Sequence, residues 1–77
     1  MKEEEIKESL LKKDDHFKRV FQDHQECERA LLELQSKSFL SEEDRLREKL
    51  LKKKKLRLKD EMYRMMLEFE RRNQDHE

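Results

Sequence analysis

Glycine, proline and tryptophan are absent from these 77 residues, and cysteine and tyrosine occur once each. Without glycine or proline the chain lacks the residues that best serve tight β-turns, so hairpin-connected strands have no obvious corners. A glycine-rich loop to cradle a phosphate is excluded with them. The lone cysteine, Cys27, excludes an intramolecular disulfide and suits a reducing compartment. No apolar run approaches the roughly 20 residues that cross a bilayer, and the opening MKEEEIKESLLKKDD is too charged for a signal peptide. The expected location is the cytoplasm, with no membrane partner.

Charge is what the chain has in excess. Charged residues make up 52% of the sequence, against about 25% in an average globular protein, and 32% are apolar. A chain this short and this polar builds a thin apolar seam rather than a deep core, and draws stability from helix pairing or self-association. Acid-to-base pairs at i, i+4 recur throughout, among them Glu3/Lys7, Glu8/Lys12, Asp15/Arg19, Glu43/Arg47, Glu48/Lys52 and Glu68/Arg72. Each stabilises an exposed helix by roughly 0.2 to 0.5 kcal/mol. The pattern predicts an all-α chain. Its 20 basic and 20 acidic residues cancel, leaving no global field to steer it toward nucleic acid or an anionic membrane.

Periodicity divides the chain in two. A heptad places Ile6, Leu10, Phe17, Val20, His24, Cys27, Leu31 and Leu34 at seam positions, with Lys13 the one charged exception, and so predicts one amphipathic helix over about residues 3–36. The seam fails within Ser36-Lys-Ser-Phe-Leu-Ser41. Lys37 suits a helix end, Glu42, Glu43 and Asp44 suit a helix start, and Ser41 with Asp44 forms an approximate capping box. The expected architecture is one domain over residues 1–77, with a turn at about 37–41 and a second helix over about 42–72. Residues 1–13 fit either a helix or a frayed end. Chain reversal near residues 38–40 brings together residues whose numbers sum to about 79, pairing Phe17 with Met62 and Leu10 with Phe69. It also sets the acidic Asp23, Glu26, Glu28 and Glu33 beside Arg45–Lys59, where nine bases face one acid, Glu48. A parallel pair of unbroken rods would set the basic stretch against its own copy, so the coiled-coil-like antiparallel hairpin is favoured.

The second helix is apolar on two faces. Leu51, Leu58, Met62, Met65 and Phe69 make one stripe for the hairpin seam, while Leu56, Tyr63 and Leu67 make another. One hairpin partner covers one face, so the second stripe predicts a further contact: a homodimer or higher homo-oligomer packed as a helical bundle, or another protein.

Few residues suggest chemistry. The basic run Lys52, Lys53, Lys54, Lys55, Arg57 and Lys59 is a candidate anion-binding site for nucleic acid or another polyanion, although successive lysines point around a helix rather than along one stripe. His24 and Cys27 share a face but supply only two metal ligands, so no metal site or cofactor is expected. His24 reads instead as a seam residue bonding across the hairpin, and Cys27 as a small buried hydrophobe. Carboxylates scattered over solvated faces offer no perturbed pair in a pocket, and no catalytic residue is expected.

The segment LKKKKLRLKDEMYRMM, residues 51–66, resembles the hallmark of the YdcH-like family of small bacterial proteins, a domain of unknown function, in which a lysine-rich stretch leads through LKDE into an apolar helix. His16, Phe17, Phe21 and His24, spaced HFxxxFxxH, resemble that family's first helix, and the likeness spans about residues 14–68. It implies a short helical hairpin, bacterial and cytoplasmic, with no established activity and no site residues to carry over. The functional expectation is a non-enzymatic interaction module that self-associates through the second helix, with binding of nucleic acid or another polyanion as the alternative.

Overall fold

The computed structural model describes residues 2–74; residue 1 and residues 75–77 of the expected 1–77 domain lie outside the described residues. Three helices and no strand are present among them: α1 (Glu3–Lys13), α2 (Asp15–Gln35) and α3 (Glu42–Gln74). The all-α expectation holds, but the count is three rather than two.

The extra boundary lies at Asp14. Glu3, Glu4 and Glu5 open α1 and Lys12 and Lys13 close it, signs that match the helix dipole at each end. Asp14 then takes an extended conformation, φ −121° and ψ 107°. Its amide donates to the Leu10 carbonyl at 2.8 Å, ending α1. Its Oδ1 accepts from the Phe17 amide at 3.0 Å, capping α2. One residue thus ends one helix and starts the next.

Across this corner α1 runs back along α2. Lys7 Nζ lies 5.0 Å from the centre of the Phe21 ring. In a continuous helix those residues would stand about 21 Å apart along the axis. The single helix expected over residues 3–36 is therefore replaced by two, broken beside Lys13, the charged exception in the heptad. Folding back also lets Ile6 and Leu10 pack against two helices at once. Ile6, Leu10, Phe17, Val20, Met62 and Met66 form one buried cluster, with Leu11, Phe21, Leu58, Met65 and Phe69 packed around it. Phe17, completely buried, belongs to the same cluster as Met62, as the expected pairing requires.

α2 and α3 are antiparallel. Cross-hairpin ion pairs mark the register: His16–Glu61 at 3.2 Å, Lys55–Glu28 at 4.0 Å and Lys37–Asp44 at 3.2 Å. At the turn, Ser36 Oγ donates to the Glu33 carbonyl at 2.8 Å. The capping box closes in both directions, Asp44 N donating to Ser41 Oγ at 3.0 Å and Ser41 N donating to Asp44 Oδ2 at 3.2 Å. The Ser41 amide, reinforced by the Lys37 ammonium, holds the Asp44 carboxyl below the usual aspartate range. Aspartate's shorter side chain does not prevent the reciprocal arm.

The two ends of the hairpin are packed differently. At the open end three helices close around Phe17. Toward the turn, Cys27, Leu31 and Leu34 of α2 are still buried, but α3 is only half-buried there at Glu48, Leu51 and Lys55. The stem of Lys55 shares the cover there with Leu51.

Asp14→Ala is expected to lower stability by about 1 kcal/mol, read as a lower urea midpoint, because the Phe17 amide loses its acceptor. An unchanged midpoint would mean that the corner is held by packing alone. A nitroxide on Glu4→Cys, in a Cys27→Ala background, is expected to broaden the amide signals around Gln25; sharp signals there would restore the continuous helix.

Candidate interaction site

The residues of the second stripe remain uncovered. Leu56 is 60% exposed, Tyr63 57% and Leu67 51%, although each lies in the middle of a well-formed helix. Single exposed leucines are common, but three on one side of one helix form a face. Sequence periodicity missed four more exposed apolar side chains: Leu32 on α2, Phe39 in the turn, and Leu46 and Leu50 at the start of α3. Leu32 follows Leu31, which the heptad assigns to the seam and the structure buries there, leaving Leu32 on the outer side.

Two grooves run between α2 and α3 and meet at Glu28 and Lys59, which line both. The groove toward the turn has a volume of about 350 Å³ and is walled by Leu31, Leu32 and Leu56, with Lys52, Lys55 and Lys59 along its α3 edge. The other, about 320 Å³, runs over Phe17, Phe21, Met62 and Met66 to Glu3 and Lys7 of α1, with Tyr63 on its wall. Helix geometry therefore splits the basic run. Lys52, Lys55 and Lys59, spaced i, i+3 and i+7, share one groove, whereas Lys53, Lys54 and Arg57 do not line it. Lys52 pairs with Glu48 and Lys55 with Glu28, each at 4.0 Å, a distance at which exposed pairs contribute little. Among the described residues no carboxylate lies within 4.0 Å of the Lys59 ammonium.

His24 sits at the junction of the three helices and corrects an expectation. Its Nδ1 lies 3.1 Å from Glu28 Oε1, one turn along the same helix, rather than reaching across the hairpin. The cross-hairpin histidine is His16, whose Nε2 lies 3.2 Å from Glu61 Oε1. Nε2 is buried and has no partner among the described residues. Burial holds the imidazole below its ordinary pKa; Glu28 opposes this, while Lys55 and Lys59 from α3 and Lys7 from α1 reinforce it. Burial and the neighbouring cations thus both favour the neutral imidazole at this position. Cys27 is a free thiol, 3% exposed, and serves as a small buried hydrophobe. Among the described residues no group of three or more His, Cys, Asp or Glu side chains converges on a common point, and no helix is long and apolar enough to cross a membrane.

An antiparallel helix pair with an exposed apolar stripe, a lysine-edged groove and a short helix folded against one end defines a small α-helical protein built around surfaces. The chain belongs to the family described as protein of unknown function (DUF465), whose model matches residues 17–66, and this is the family of the YdcH-like resemblance. The match begins at the fully buried Phe17 and ends at Met66, so it takes in the hairpin core and leaves α1 outside. No curated protein and no solved structure matches significantly.

Because the folded-state pKa of His24 lies below its unfolded value, its neutral form is the one the fold favours. That contribution is fully present above the ordinary imidazole value of about 6.5 and is lost as pH falls through the depressed folded value. The difference in urea midpoint between the native chain and His24→Gln is expected to shrink from pH 8 to pH 5. A constant difference would show that His24 does not titrate on unfolding.

Proposed function

We infer that this protein is a non-enzymatic interaction module that self-associates through α3, two hairpins packing as a helical bundle. The observation that carries this reading is the exposure of Leu56, Tyr63 and Leu67, each more than half accessible and outside the buried seam. The seam side of α3 is already committed, since Met62 and Met66 are buried against α1 and α2. An isologous contact would double each side chain's burial partners without new sequence, and the tyrosine hydroxyl can stay wet while its ring is covered. A bundle of this kind gives a chain with a thin seam the second layer that its length denies it. Its expected place is the bacterial cytoplasm, where a lone buried thiol is at home.

A second reading is supported by the alignment of Lys52, Lys55 and Lys59 along one groove edge, which would offer a polyanion three cations in a row. Against it stand the leucine wall behind those lysines and the turning of Lys53, Lys54 and Arg57 out of the groove.

Leu56→Glu with Leu67→Glu is expected to convert an oligomer to a monomer, read by light scattering on a size-exclusion column, with helicity followed by circular dichroism. An unchanged oligomer would remove α3 from the interface. The polyanion reading predicts DNA or RNA affinity that falls steeply with salt and weakens in Lys52→Gln with Lys55→Gln, two of the three lysines on the groove edge; no salt-sensitive binding near physiological ionic strength would dispose of it.

A further inference from the structure

The groove between α2 and α3 is one channel with two different ends. At the open end α1 packs across it, with Ile6 and Leu10 buried in the cluster around Phe17. Toward the turn the channel continues past Glu28 and Lys59 with no further helix packed against it among the described residues, and there Leu32 and Leu56 are 67% and 60% exposed. The molecule therefore shows within itself what such a channel accepts: a short amphipathic helix, acidic in its first turn, presenting two apolar side chains four residues apart.

We propose that the turn-side half of this groove docks an acidic amphipathic helix of a partner protein, its apolar side chains entering between Leu32 and Leu56 and its carboxylates meeting Lys52, Lys55 and Lys59. Charge complementarity selects this occupant. Three ammonium groups line the α3 edge, and the one acid of the groove, Glu28, already faces both His24 and Lys55. A second copy seated on this half of the groove by the same face would set Lys52, Lys55 and Lys59 against their own counterparts, so the self-association proposed above is centred on Tyr63 and Leu67, with Leu56 at its edge. Nucleic acid would find the cations but would press its sugars and bases against two leucines, with no aromatic ring in this half of the groove to stack on. An acidic helix satisfies both the leucines and the lysines in the helix-in-groove mode, with anchors at i and i+4. This goes beyond self-association, which rests on Tyr63 and Leu67 as well as on Leu56.

The test uses the full chain and a fluorescein-labelled synthetic peptide, helix-forming, with leucines at i and i+4 flanked by glutamates, followed by anisotropy and by amide shifts. Saturable binding is expected, with shifts centred on Leu32 and Leu56. Lys52→Gln with Lys59→Gln should weaken it by about tenfold, added salt should weaken it further, and Leu32→Ser should abolish it. Leu67→Glu should leave peptide binding intact even where it dissociates an oligomer, which separates the two readings. Circular dichroism checks that each variant keeps its helices, and Leu32, being exposed, is replaceable without loss of the core. Equal binding of a peptide with lysines in place of the glutamates would overturn the proposal, as would no binding at all. So would displacement of the peptide by a DNA oligonucleotide whose own binding ignores Leu32→Ser, which would identify a polyanion site. Loss of an oligomer in Leu32→Ser would overturn it in favour of a second copy covering this face.

Discussion

The hydrogen bond from the Phe17 amide to the Asp14 carboxylate holds the corner on which the rest of the structure depends. With that residue extended, α1 turns back and brings Ile6 and Leu10 onto both remaining helices. Without the turn, α1 would continue α2, and its two apolar side chains would meet α3 alone. Short as it is, α1 changes a two-sided seam into a three-sided cluster, and among the described residues it is in that cluster that a side chain, Phe17, is completely buried.

The apolar inventory is limited, and gathering it at one end leaves less for the other. Toward the turn α3 supplies charged and half-buried residues where α2 supplies buried leucines. Lys55 covers the seam with its stem and keeps its ammonium near Glu28. The same substitution of lysine for apolar cover creates the edge of the groove. Its lysines and exposed leucines are thus two results of one shortage, since the residues that would have closed the hairpin there are absent.

Much of this was legible in the sequence because it rests on local chemistry. The turn at residues 36–41 followed from charge order and from Ser41 and Asp44, whose reciprocal bonds need only neighbours three apart. The stripe of Leu56, Tyr63 and Leu67 followed from helical spacing. The Asp14 corner was written in the same language, Lys-Lys followed by Asp-Asp, yet the heptad ran through it. A period of seven cannot register a reversal that keeps seam residues on the inside, and Lys13 was its only sign. His24 escaped for a different reason. Spacing placed it at the seam but not which way its ring would turn, and a carboxylate one turn along the helix competes on equal terms with any across the hairpin. The groove was beyond periodicity altogether, because it needs Leu32 of one helix and Lys52, Lys55 and Lys59 of another at the same level.

The family match covers residues 17–66 and leaves α1 out, although Ile6 and Leu10 of α1 belong to the buried cluster. This helix packs on the hairpin as a ligand would, joined by a single extended residue, and its Lys7 places an ammonium over the Phe21 ring where a hairpin alone would leave the aromatic face open. An attached helix suffers almost no loss of translational freedom on docking, so modest contacts suffice to hold it. An untethered helix in the other half of the channel has no such advantage and must gain its affinity from the leucines and the lysine row. The tether thus lets a helix of mixed charge hold the open end, whereas the occupant proposed for the end near the turn would depend on its acidic charge.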